Sequence, residues 1–132
     1  MSNVKSWRYT VYQVPFKVMQ SLSNDGKPIP FLYRGNDASD SEYEFTRESA
    51  RDLYARHGYT EVARFDVQKL DDVFDVSNNP YRDEDERESL IDRIKPMHSV
   101  SIGDIIFDSV AEKHYIVAPM GFDELGRTRR VI

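Results

Sequence analysis

Two apolar stretches with almost nothing between them constrain this chain more than any other feature. Residues 101–110, SIGDIIFDSV, and 113–119, KHYIVAP, are rich in β-branched and aromatic residues, and only Ala111-Glu112 separates them. A link that short joins two strands as an antiparallel hairpin. A hairpin alone is marginal in water, so the rest of the chain must supply the surfaces that cover it.

Those surfaces are legible in turn. Residues 7–18, WRYTVYQVPFKV, alternate Trp7, Tyr9 and Val11 against Arg8, Thr10 and Tyr12, the period of a strand with one buried face. Pro15 lacks an N–H and marks an edge position or the strand's end. In 21–30, SLSNDGKPIP, Asn24-Asp25-Gly26 reads as a tight turn and the rest as loop, and FLYRG at 31–35 as a short strand. A helix is expected from Thr46, as N-cap, to Gly58, as the left-handed closing residue, with Ala50, Leu53, Tyr54 and His57 on one face. A strand over 59–67 and a short helix over 69–79, ended by Asn78-Asn79-Pro80, come next. In 81–95 the stripe Leu90, Ile91, Ile94 predicts a helix in the second half, halted before Pro96. Gly121-Phe122 leads into a last short element with a basic tail. The expected fold is a single α+β domain: a small, mainly antiparallel sheet with two or three helices packed on one face. Leu53, Tyr54, Val73, Phe74, Ile105, Phe107, Ile116 and Phe122 are its expected core.

Composition narrows the function classes. The 132 residues contain no cysteine, which excludes a disulfide scaffold, thiolate metal ligands and a cysteine nucleophile. No apolar run is long enough to span a bilayer, and the polar first residues do not resemble a signal peptide, so a cytoplasmic protein without membrane contact is expected. Net charge is −5, which disfavours general binding to phosphate backbones.

The pair Gly103-Asp104 has two readings. The glycine takes positive φ and the aspartate bonds back to nearby amides, which makes the pair a turn that launches the strand at 105. The alternative is a catalytic Asp104. The turn is favoured, with Ser99, Ser101, Gly103 and Asp104 as its structural residues and no catalytic residue assigned.

A wider pattern surrounds that turn. Leu70, Val73, Phe74 and Asn78 are followed by Ser99-Val100-Ser101-Ile102-Gly103-Asp104, then by Tyr115 and Gly121-Phe122. In this order the segments resemble the YodL-like domain family of phages, plasmids and other mobile elements. The resemblance covers roughly residues 59–125 and leaves 1–45 unassigned. His98 stands where the family commonly has an arginine or polar residue, and the insert at 81–95 is longer than is usual there. The resemblance implies an accessory protein of a mobile element that engages a host protein or blunts host defence. It implies no established reaction.

Other chemistry is sparse. His98, Asp104 and His114 make a weak metal-ligand set, usable only if turn and hairpin converge. Neither a phosphate-binding loop nor a serine-hydrolase elbow occurs, and no cofactor is expected. Arg127, Arg129 and Arg130 are candidate nucleic-acid contacts on an otherwise acidic chain. Two acidic stretches stand out. One holds Asp37, Asp40, Glu42, Glu44 and Glu48 against Arg47; the other holds Asp83, Glu84, Asp85, Glu86 and Glu88 against Arg87. Such runs are solvated faces or tethers, or they steer a domain toward a basic partner. The second stretch is the candidate partner-binding surface. Three functions follow: a non-enzymatic accessory protein that binds a host protein, a nucleic-acid-binding or regulatory module using the arginines, and a metal-dependent enzyme at His98, Asp104 and His114.

Overall fold

The computed structural model describes residues 7–26, 40–79, 83–118 and 121–125, with the backbone alone for 40–46. In chain order the elements are β1 (Tyr9–Gln13), α1 (Phe16–Asn24), α2 (Asp40–Ala55), β2 (Thr60–Phe65), α3 (Leu70–Asn78), α4 (Glu84–Ser89), β3 (Ile91–Arg93), β4 (Ile105–Asp108), β5 (Lys113–Val117) and β6 (Phe122–Glu124). The six strands form one antiparallel sheet in the order β3-β2-β1-β4-β5-β6.

The first strand of the chain is thus the middle of the sheet. β1 pairs Tyr9 with Phe65 of β2 on one side and with Asp108 of β4 on the other. Within the sheet, the two-strand unit β2-β3 and the three-strand unit β4-β5-β6 are joined only through it. Arg8, just ahead of β1, ties down its far end: Nε and Nη2 donate to the two carboxylate oxygens of Asp108 at 2.9 and 3.0 Å. Burial alone would raise the Asp108 carboxyl, but this fork and the amides of Ala111 and Val110 hold it below its ordinary value.

Both faces of the sheet are covered. On one, Val73 and Val76 of α3 pack with Tyr9, Val11, Ala63, Phe65, Ile106 and Val117. On the other, Ala50, Leu53 and Tyr54 of α2 and Val18 and Met19 of α1 pack with Tyr12, Ile105 and Ile116. Neighbouring residues Ile105 and Ile106 fall in different cores, as do Ile116 and Val117, because successive side chains leave a strand on opposite faces. The α+β class and the antiparallel sheet agree with expectation; the helices are divided between the faces rather than gathered on one.

Several local expectations need correction. The strand expected over 7–18 stops at Gln13, and Pro15, with φ −61°, becomes the N-cap of α1, its carbonyl accepting from the amides of Val18 and Met19. A proline ends a ladder and presets the dihedral a helix start requires. The Asn24-Asp25-Gly26 turn closes that helix, with Gly26 at φ 70°. Thr46 lies inside α2, which begins at Asp40. The left-handed residue after α2 is His57, φ 64°, and not Gly58. The amide of Gly58 bonds the Leu53 carbonyl and that of His57 bonds the Tyr54 carbonyl, the paired closure of a Schellman motif displaced by one residue. Gly58 serves by being small, since a Cβ there would overlap the Leu53 side chain.

In 83–95 the helix occupies the acidic half and the apolar half is strand. The Asp83 side chain accepts from the amide of Glu86 at 3.1 Å, and the acidic first turn suits the helix dipole. Ile91 then pairs with Phe65 at the sheet edge. A β-bulge between β1 and β2 leaves Val62 without a partner on β1, though its carbonyl accepts from the amides of Ile94 and Lys95, and brings Val62 and Ala63 both into the core. Phe74 is 41% exposed while Val73 and Val76 take the buried positions of α3. Ile105, Ile116 and Val73 are buried as expected, and Leu53, Tyr54, Phe107 and Phe122 are half-buried. The strand expected at 31–35 lies outside the described residues.

Candidate functional site

The Ser99–Asp104 segment is a knot of polar contacts with Gln13 at the end of β1, Tyr59 just before β2 and Val117 at the end of β5. Gly103 has φ 101°, its amide donates to the Val117 carbonyl, and the Val117 amide returns a bond to the Asp104 carbonyl. Oδ2 of Asp104 accepts from the Ser101 amide and from Nε2 of Gln13, both at 2.9 Å. The second proton of that Gln13 nitrogen goes to the His98 carbonyl at 2.9 Å, and Oε1 accepts from the His98 amide at 3.2 Å. The Tyr59 hydroxyl donates to the Gly103 carbonyl at 2.6 Å. Ser77 and Asn78 of α3 fasten Val100 from the other side.

Asp104 is 2% exposed. Burial pushes its carboxyl up to about 8, against the Ser101 and Gln13 donors, which favour the charged form. The group is therefore largely a neutral acid near pH 7. Nδ1 of His98 donates to the Ser99 carbonyl at 2.7 Å, which fixes that tautomer.

His114 belongs to a different environment. It is buried among Phe107, Tyr54 and Tyr12, with ring centroids 4.6, 5.1 and 6.5 Å away. Its Nε2 lies 2.6 Å from the Tyr54 hydroxyl and its Nδ1 is buried without a partner. Burial lowers its titration to about 4, so the ring is neutral. His98 and Asp104 both adjoin Gln13, whereas His114 faces α2. The weak metal-ligand set His98, Asp104 and His114 is not assembled, and no group of three metal-ligating side chains occurs among the described residues.

The second acidic stretch divides by role. Asp83 caps α4, and Glu88 accepts two bonds from Arg93 at 2.9 and 2.7 Å, which lowers its carboxyl. Glu84, Asp85 and Glu86 are exposed on a helix that buries none of its residues. Of the first stretch, Glu48 is exposed on α2; Asp37 and the side chains of Asp40, Glu42 and Glu44 lie outside the described residues. Arg127, Arg129 and Arg130 also lie outside them.

One surface feature escapes the sequence reading. A cleft of ≈ 430 Å³ opens between α3 and the β5–β6 end of the sheet, lined by Asp71, Phe74, Asp75, Val117, Ala118, Gly121 and Phe122. Asp71, Phe74 and Asp75 stand at i, i+3 and i+4 and so share one helix face. That spacing is visible in the sequence; the wall opposite, and hence the cleft, is not.

No family model, curated protein or solved structure matches the chain. No helix among the described residues is long and apolar enough to cross a membrane.

Proposed function

We propose that the chain is a non-enzymatic binding protein, of the accessory kind carried by phages and mobile elements, which engages a host protein in the host cytoplasm. The observation that carries this reading is α4, a helix with no buried residue that holds Glu84, Asp85 and Glu86 in solvent. The helix N-terminus offsets part of that charge, but the carboxylates repel one another and α4 gains no core burial in return. A basic partner converts that cost into attraction at encounter. Asp104 and His114, the strongest candidates for chemistry, are held within the fold by Gln13 and Tyr54. The resemblance to the YodL-like family supplies the mobile-element setting and the lean toward counter-defence or host takeover.

The test is retrieval of a single protein from host lysate, followed by its association rate with the parent and with the double variant Glu84→Lys/Asp85→Lys at two salt concentrations. Steering predicts a parent on-rate that falls as the Debye length shrinks to about 8 Å, and a slower, less salt-sensitive variant. Equal rates for the two proteins sink the reading. Asp83 is left in place because it caps the helix.

A further inference from the structure

We infer that the cleft between α3 and the β5–β6 end is a docking groove for a basic, apolar-flanked peptide segment of the partner, an inference that rests on the binding-protein reading above. Its floor is apolar: Val117 and Ala118 at the end of β5, Phe122 at the start of β6, and Phe74 across from them. Phe74 is the telling residue. Val73 and Val76 of the same helix are 0% and 1% exposed, yet the aromatic beside them stays 41% exposed over the groove. Gly121, with φ 88°, puts backbone without a side chain at the rim.

Charge selects the occupant. Two carboxylates, Asp71 and Asp75, stand one helical turn apart on either side of Phe74, and the described lining includes no lysine or arginine. Asp75 accepts from Nδ2 of Asn79 at 3.1 Å, which orients its carboxylate, and Asp71 is exposed. A neutral apolar segment laid here would strip water from the exposed Asp71 carboxylate with nothing in return. Arginine and lysine avoid that penalty. Their methylene stems lie on Phe74 and Phe122, and their heads reach the aspartates or the ring faces. A volume of ≈ 430 Å³ suits a few side chains of a projecting segment and not a folded surface.

The probe is a fluorescein-labelled peptide of alternating arginine and leucine, titrated by anisotropy into the whole chain at physiological ionic strength. A peptide of alternating glutamate and leucine is the control. The groove predicts binding of the first peptide only. Phe74→Ala and Asp71→Lys each weaken it at least tenfold, while Glu112→Lys, an equal charge reversal at the exposed β4–β5 turn, changes it less than twofold. Phe74→Trp adds a direct reporter: its emission shifts to the blue on adding the basic peptide, beyond any change from Trp7 in the parent. No binding by the parent, unchanged binding by both groove variants, or no shift at position 74 overturns the inference. If a retrieved host protein binds Phe74→Ala and Asp71→Lys as it binds the parent, the groove is lost and the function reading survives. If the peptide occupies the groove but no host protein is retrieved, the function reading is the one lost.

Discussion

Nε2 of Gln13 donates to Oδ2 of Asp104 at 2.9 Å, across 91 residues of chain and in a site closed to solvent. The same amide spends its other proton on the His98 carbonyl and its oxygen on the His98 amide. Gln13 therefore stitches the end of the central strand to the turn that starts β4. Gln13→Ala leaves the Asp104 acceptor and both His98 backbone groups without this partner. An expected loss of about 2–3 kcal/mol follows, read as a lower urea midpoint at unchanged slope. A midpoint within error of the parent would mean that water replaces the amide at no cost.

Asp104 makes stability depend on pH with a definite sign. Its carboxyl titrates near 8 in the folded chain and near its ordinary value of 3.8 when unfolded. Below 3.8 both states hold the proton and there is no penalty. Between 3.8 and about 8 the unfolded state ionises while the folded state does not, so stability falls as pH rises through that window. Asp104→Asn removes the dependence and keeps an oxygen for Ser101 and Gln13. Melting temperatures at pH 5 and pH 8 are expected to differ less in the variant than in the parent. His114 acts on the acid side with the opposite slope, since a folded titration near 4 against 6.5 unfolded removes stability as pH falls from 6.5 toward 4.

β1 is the bridge of the sheet, so the segment 59–125 is not expected to fold alone. Without β1, β2 and β4 expose unpaired backbone along their inner edges and both cores lose their centre. A chain beginning at residue 59 should show poor dispersion in a proton–nitrogen correlation spectrum and no cooperative thermal transition. A cooperative melt from that fragment would show that β1 is dispensable.

Two left-handed positions predict opposite outcomes. His57 holds φ 64° at the end of α2, so His57→Gly is expected to stabilise by roughly 0.5–1 kcal/mol. Gly103 holds φ 101°, and Gly103→Ala is expected to cost roughly 1 kcal/mol or more. Chemical denaturation of both variants beside the parent checks the pair, and a shift of the same sign in both would refute the argument.

Sequence alone determined the pieces whose element type a local pattern sets. β2, α3 and the hairpin β4–β5 each carry a local pattern that neighbouring residues suffice to express, and the Gly103-Asp104 turn needs only a glycine and a short acceptor. Ambiguity began where the pattern was too short to have a period. The spacing of Leu90, Ile91 and Ile94 predicts a helix, but three residues are too few to hold that period against the pairing of Ile91 with Phe65, which makes a strand. Pro15 marked an ending but could not say that a helix would follow. Tertiary structure alone decided that the first strand lies at the centre, that Val62 bulges and that Phe74 is left over a groove. It also decided that His98 and Asp104 meet at Gln13 while His114 turns to Tyr54. The reason is physical: a side-chain period depends on adjacent dihedral angles, whereas strand order and buried polar partners depend on which surfaces fit together across the chain.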